Sequence, residues 1–385
     1  MTVVVDSDYV VKTLADLVRI NSSNPSLTPG NPGEGEIAAY IADALRGIGL
    51  EVTVNEVEAG RPNVVGRLKG AGGGRSLMVN GHTDTVGVEG MADPFSGEIR
   101  DGKLYGRGAQ DMKGSLAAML GALKSLVDGD VSLAGDVLAA AVIDEEYVSL
   151  GTVDLIKHYT ADAAIVMEPS DMAISRAHRG FTVFEVETIG RMAHGSRYEE
   201  GIDANIRMGR LLAQLDGLEK ALRASTPHPL MGLPSLNVPL VKGGSELYIY
   251  AERCVADVER RTISGETEAE ITREMQDILD RLSAEDPAFK ATMKTLIHRG
   301  PFEVPAEAEI VQTLERAVTA RLGKKPEHIG QTFWTDAGLL ADAGIETVLI
   351  GPRGAGLHSA EEWVEVQSVV DLAHILAETA VAYCA

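Results

Sequence analysis

The 385-residue sequence has only two cysteines, Cys254 and Cys384. Two thiols build neither a disulfide framework nor a thiolate metal site, and they fit a reducing compartment. Basic side chains are also scarce. Lys and Arg number 35 against 57 Asp and Glu, a formal net charge of −22. Such a surface repels phosphate backbones and anionic lipid, which excludes nucleic acid and membrane as partners. No apolar run approaches the roughly 18 residues that a membrane span needs. The opening "MTVVVDSDYVVK" lacks a basic n-region and meets Asp6 and Asp8 early, unlike a signal peptide. These absences predict a cytoplasmic protein. With 45% hydrophobic residues, 41 glycines and 4% aromatics, the composition is that of a globular chain with many tight turns. Its length suits two domains better than one core.

The pattern along the chain gives the fold class. Asp6 to Arg19 and "GEGEIAAYIADALRGIGL" have helical spacing, the second closed by glycines. "SLMVN" (76–80), "DVLAAAVI" (136–143), "AAIVM" (163–167) and "ETVLIGP" (346–352) are apolar runs of the kind buried on both faces of a sheet. Helices lie between them, such as "DMKGSLAAMLGALKSL". This alternation predicts an α/β fold with a mixed, largely parallel sheet. The middle differs. "FTVFEVETI" alternates as a half-buried strand, and "GIDANIRMGRLLAQLDGLEKAL" is helical. "PSLNVPLV" and "ELYIYAERCVADVE" read as strands joined by a tight "KGGS" turn. A helix, "ETEAEITREMQDILDRLS", and a strand, "FKATMKTLI", follow. The order β-α-β-β-α-β is ferredoxin-like, and α/β signals resume near residue 300. The expected division is 1–178 and 297–385 for the larger domain and 179–296 for an insertion.

Chemistry-bearing residues collect where the strands end. His82 and Asp84 follow the first strand, Asp144, Glu145 and Glu146 the second, and Glu168 the third. Asp111 sits in "GRGAQDMKG" and His358 in "GPRGAGLHSAEEW". A chain with 57 acidic residues places some at strand ends by chance. In an open α/β sheet, however, the carboxyl ends of the strands converge on one edge, and these segments meet there together. Imidazole and carboxylate without thiolate suit zinc, cobalt or manganese. Two ions about 3.5–4 Å apart can share a carboxylate and clamp a water and a scissile carbonyl. Successive side chains on extended backbone point to opposite sides. One of Glu145 and Glu146 can therefore ligate while the other serves as a base. Phosphate-loop spacing is absent from "GAGGGR" and "GRGAQD", and no G-x-S-x-G elbow is present.

With "NGHTDTV", "GRGAQDMKGS", "DEEYVSLGT", "VMEPSD" and "GLHSAEEWVEV" in this order, the sequence resembles the M20 family of metallopeptidases and amidohydrolases. It is most similar to the acetylornithine deacetylases and succinyl-diaminopimelate desuccinylases. The resemblance implies that His82 and Glu168 hold one divalent ion, most often zinc, that Glu146 and His358 hold a second, and that Asp111 bridges them. It makes Asp84 the support of His82 and Glu145 the general base. It also makes the insertion a lid and the interface of a homodimer. His194, in "IGRMAHGSRYEEGIDA", would stabilise the oxyanion in an active site. Asn237 in "SLNVPLVKGG" and Arg261 in "VERRT" would grip the substrate's carboxylate, with Arg179 in "AHRGF" a further candidate.

Two positions depart from the common family pattern, Arg353 in "GPRG" and Tyr147 after the paired glutamates. Both bear on acyl and side-chain specificity. His158, His178, His228, His298, His328 and His374 read as structural or surface residues. The resemblance implies hydrolysis of an N-acyl-L-amino acid, a small-molecule substrate. The alternatives are a di- or tripeptidase or carboxypeptidase on the same centre, and a non-catalytic metal-binding or regulatory protein.

Overall fold

The structure is a computed structural model in which residues 3–385 are described. Asp6 caps the first helix by accepting a hydrogen bond from the Tyr9 N–H at 3.0 Å. Helix α1 (Ser7–Arg19) buries Val10, Leu14, Leu17 and Val18, one face at helical spacing. Helix α2 (Gly35–Ile48) stops at Gly49, whose φ of 106° is open to glycine and lets its N–H return to the last turn. Strands β1 (Glu51–Glu58), β2 (Arg61–Leu68) and β3 (Leu77–His82) follow, then the short β4 (Glu98–Arg100) and β5 (Lys103–Tyr105). An irregular turn, Ala109–Lys113, leads into α3 (Gly114–Asp128). Next come β6 (Val137–Val142), α4 (Leu150–His158), β7 (Ala163–Val166) and β8 (Ile174–His178).

Every residue of β3, β6 and β7 is buried, as expected of strands covered on both faces. Their pairings, β3 with β6 and β3 with β7, are parallel.

The middle of the chain supplies β9 (Gly180–Ile189), α5 (Ala204–Arg223), β10 (Ser235–Gly243), β11 (Arg253–Thr262), α6 (Glu268–Glu285) and β12 (Lys290–Arg299). A capping box formed by Thr267 and Glu270 starts α6. The strands pair antiparallel in the order β10-β11-β9-β12. Inward residues of β9 and β11, Phe184, Val186, Ala256 and Val258, pack on Met208, Leu211 and Leu215 of α5 and Met275 and Ile278 of α6. The expected hairpin is corrected here. "ELYIY" is not strand, because Leu247 and Tyr248 are exposed and Tyr248 has a φ of 69°. This stretch pairs instead with the segment bearing His194, through Tyr250 N–H to the Ala193 carbonyl and Gly195 N–H to the Tyr248 carbonyl. Hydrophobicity marked a strand where the backbone forms a loop.

The chain closes with β13 (Phe302–Glu303), α7 (Glu309–Leu322), β14 (His328–Gln331), α8 (Ala337–Asp342), β15 (Glu346–Leu349), β16 (Gly354–Ala355), β17 (Trp363–Glu365) and α9 (Val366–Tyr383). β15 adds to β7 in parallel, so the central order runs β1-β2-β6-β3-β7-β15-β8, with a parallel middle and antiparallel margins. The short strands β16, β17, β5 and β4 make a separate sheet. The chain forms two compact units. One holds the residues up to Arg176 with Val304–Ile329 and Thr335–Ala385; the other holds Ala177–Glu303 with Gly330–Trp334. No helix of the described residues is long and apolar enough to cross a membrane.

Candidate active site

The site is built in the larger unit, at the carboxyl ends of adjacent parallel strands. His82 is the last residue of β3, Asp144–Glu146 begin the loop after β6, and Glu168 follows β7. His82 Nδ1–H donates to the carbonyl of Asp84 at 2.9 Å, so Nε2 is left to face the centre. Nε2 lies 3.1 Å from Asp111 Oδ1 and 3.8 Å from Glu168 Oε1. The other oxygen of Asp111, Oδ2, is 3.4 Å from His358 Nε2, which also meets Glu146 Oε2 at 3.0 Å. One carboxylate therefore divides between two imidazoles, each with a glutamate beside it. Ligand-type atoms of His82, Asp111 and Glu146 lie within 4.8 Å of one another, as do those of His82, Glu145 and Glu168.

The electrostatics of this basin favour a bound cation. Burial pushes Glu145 and Glu168 well above the usual carboxylate range, each further raised by a neighbouring carboxylate, Glu168 for the first and Asp111 for the second. Burial and the charge of Asp111 raise Glu146 as well. Burial opposes a charged His82, yet its hydrogen bond to Asp111 and the field of Glu168 hold it well above its ordinary value. Asp111 and Glu146 together lift His358 to about 10. Carboxylates outnumber imidazoles here, and buried negative charge is costly unless paired or bound to a cation. Glu146 Oε1 and Glu168 Oε1 are also buried without a hydrogen-bond partner. Oxygen and imidazole donors in this arrangement fit divalent ions of the zinc type.

Several supporting residues gave no separate signal in the sequence. The Asp84 carboxylate sits 3.6 Å from His82 Nδ1. Its closer partners are the N–H groups of Glu145 and Glu146, at 3.1 and 3.2 Å, and the Asn24 amide at 2.8 Å. Asn24 also donates to Asp144 at 3.0 Å, and Asp144 accepts from Arg61 at 2.9 Å. The buried Arg61 makes a two-pronged contact with Glu34 at 2.7 and 2.6 Å. Asp336, in α8's lead-in, accepts from the Thr152 hydroxyl at 2.6 Å; burial raises it to about 6. Glu362 and Arg107 form a second buried pair at 2.7 Å. The helix-leading turn uses Gly108 at φ 79°, where a Cβ would meet Thr85 Cγ2 at 2.7 Å.

The remaining candidates lie in the smaller unit. His194 is exposed, with Nδ1 2.8 Å from the Ser196 hydroxyl. Asn237 stands opposite Glu259 in the β10–β11 register, on the face away from α5 and α6. Arg261 shares that face, pairs with Glu259 at 2.7 Å and lies over the Phe181 ring at 5.2 Å. Arg179 donates to the Met231 carbonyl at 2.7 Å. In the larger unit, Tyr147 is 52% exposed beside the paired glutamates, and Arg353 lies 3.5 Å from Glu365.

Comparison with known proteins agrees with this chemistry. Residues 78–382 match the profile of Peptidase family M20/M25/M40. The N-formyl-4-amino-5-aminomethyl-2-methylpyrimidine deformylase of Bacillus subtilis is 30% identical over 391 residues, 93% of this chain and 92% of that protein. The acetylornithine deacetylase of Myxococcus xanthus is 28% identical over 383 residues, 97% of each. A tripeptidase from Staphylococcus aureus shares the fold, with a TM-score of 0.82 at 19% identity over 99% of both chains. This chain belongs to the M20/M25/M40 peptidase family, as a hydrolase of amide bonds.

Proposed function

We propose that the protein is a two-metal deacylase that removes a small acyl group from nitrogen, with N-acyl amino acids as its substrate class. The observation that carries this reading is the division of Asp111 between His82 and His358, at 3.1 and 3.4 Å. In this reading His82 and Glu168 hold one ion, Glu146 and His358 hold the other, and Asp111 is shared. Zinc suits these donors best, with cobalt and manganese as substitutes. Such ions supply a Lewis acid for the carbonyl and make water acidic enough to attack near neutral pH.

Glu145 is assigned the proton transfers. It lies with the same donors but is not needed in either pair, and its raised proton affinity suits a group that takes a proton from water and returns it to the leaving nitrogen. Asp84 holds this glutamate by its backbone N–H. Asn237 and Arg261 are assigned to the substrate's carboxylate, since a guanidinium matches a carboxylate in two-pronged fashion. His194 is assigned to the oxyanion. Relatives named for removing formyl and acetyl groups support deacylation over peptide cleavage.

The test is a hydrolysis screen of zinc-, cobalt- and manganese-loaded protein against N-formyl, N-acetyl and N-succinyl amino acids and dipeptides. Amine should be released from one or more N-acyl amino acids. Cleavage of dipeptides alone would replace this reading with a peptidase. No turnover of either at full metal occupancy would favour a non-catalytic role.

A further inference from the structure

We propose that the buried Arg107–Glu362 pair is the positioning device of the metal centre, presenting Asp111 as the shared ligand and tethering the loop that carries His358. The inference rests on the two-metal reading above. Glu362 accepts four hydrogen bonds: from the N–H groups of Gln110 and Asp111 at 2.9 and 3.1 Å, from Gly108 N–H at 3.0 Å, and from Arg107 Nη1 at 2.7 Å. It thus holds the backbone of the ligand Asp111 and of the turn leading to it. Arg107 uses its remaining nitrogens elsewhere. Nε donates to the Gly87 carbonyl and Nη2 to the Ser359 carbonyl, both at 2.9 Å. Gly87 lies in the loop after His82 and Asp84, and Ser359 is next to His358. One ion pair therefore joins the three segments that carry His82, Asp111 and His358.

The physical reason for such a pair is geometric. Its side chains are 3% and 1% exposed, and a buried ion pair is a weak source of stability compared with apolar side chains of the same volume. What apolar side chains cannot do is fix three irregular segments by directed hydrogen bonds. His358 needs this most, because its side chain is 52% exposed and packing does little to hold it. A guanidinium offers donors in several fixed directions, which a lysine cannot reproduce. Neither residue touches the reacting atoms, so both are positioning residues.

Glu362→Gln and Arg107→Lys test this. Glutamine keeps the shape but sets an NH2 against the remaining donors; lysine keeps the charge but loses the fork. Cobalt binding is measured by competition with a chelating dye, together with the visible spectrum of the cobalt-loaded protein. Val10→Ala, in the α1 core, serves as a control for general loss of stability. Wild-type protein should bind two ions. The two variants should bind both ions more weakly, the one assigned to His358 by roughly 10–100-fold, with a changed cobalt spectrum. Val10→Ala should bind both ions normally. Wild-type affinity and spectrum in both variants would overturn the inference. So would equal weakening in Val10→Ala at a matched loss of thermal stability, since the pair would then be merely structural. Wild-type protein that binds no ion would overturn the two-metal reading itself, and this inference with it.

Discussion

Asn24 donates its side-chain amide to Asp84 at 2.8 Å across 60 residues of sequence. Asp84 in turn accepts the N–H groups of Glu145 and Glu146, so the amide stands behind the backbone of the proposed base. Asn24→Ala removes this support without touching any proposed ligand. Metal content should stay at the wild-type level while kcat falls by roughly 10–100-fold, the effect of losing about 1.5–3 kcal/mol of charge-assisted hydrogen bonding. Unchanged kcat would show that Asp84 is held well enough by its other partners.

Arg61→Met should act on stability instead. Arg61 is buried between Glu34, Asp144 and Glu58. Removing it leaves Glu34 and Asp144 fully buried without their cation. A cost of roughly 3–5 kcal/mol is expected, read as a lower urea midpoint. A midpoint equal to wild type would mean that water takes over the role of the guanidinium.

Glu145→Gln keeps the shape of the side chain and removes its basicity. Turnover should drop by at least roughly 100-fold while the metal stoichiometry is unchanged. Loss of an ion in this variant would exchange the roles of Glu145 and Glu146.

Metal binding should release protons. Without an ion, Asp111 and Glu146 keep His358 protonated up to about pH 10, and the hydrogen bond to Asp111 and the charge of Glu168 hold His82 well above its ordinary value. Ligation needs neutral imidazoles and ionised carboxylates. Raising the pH from 6 to 8 should therefore strengthen binding. Titration calorimetry of zinc in two buffers of different ionisation enthalpy should give different apparent heats. Identical heats would mean that no ligand is protonated beforehand. Chelation should abolish hydrolysis, and zinc or cobalt should restore it.

Arg261 already has a partner in Glu259, so its engagement with substrate must compete with that pair. If it grips a carboxylate, Arg261→Ala should impair kcat/KM for N-acyl amino acids and leave the corresponding amides little affected. Equal losses would make Arg261 structural. His194 allows a separate check of the proposed homodimer. Mixing inactive Glu145→Gln and His194→Ala proteins under subunit exchange should restore activity if His194 serves its neighbour's site. Continued inactivity would assign it to its own chain or to none.

The residues proposed to carry chemistry could be named from the sequence, because most of those at the metal centre follow a strand whose apolar run announces itself, whereas Asp111 lies in the turn before α3. "LMVNGH" ends in His82, a proposed ligand, and the runs before Glu145, Glu168 and His358 lead to the same sheet edge. Periodicity likewise determined the helices, since α1 and α2 bury the stripe that their spacing displays. What only the tertiary structure decided is who supports these residues. Glu362 meets Gln110 from 252 positions away, and Arg61 meets Asp144 from 83. Such partners have no common period or spacing, and a buried arginine reads in sequence like an exposed one. The loop at 246–252 was misread for a related reason: Leu247 and Tyr248 are exposed and the backbone turns with a positive φ at Tyr248. Local pattern reports which side of an element is apolar; the pairing of charges across the fold is settled only when the chain has brought them within hydrogen-bond reach.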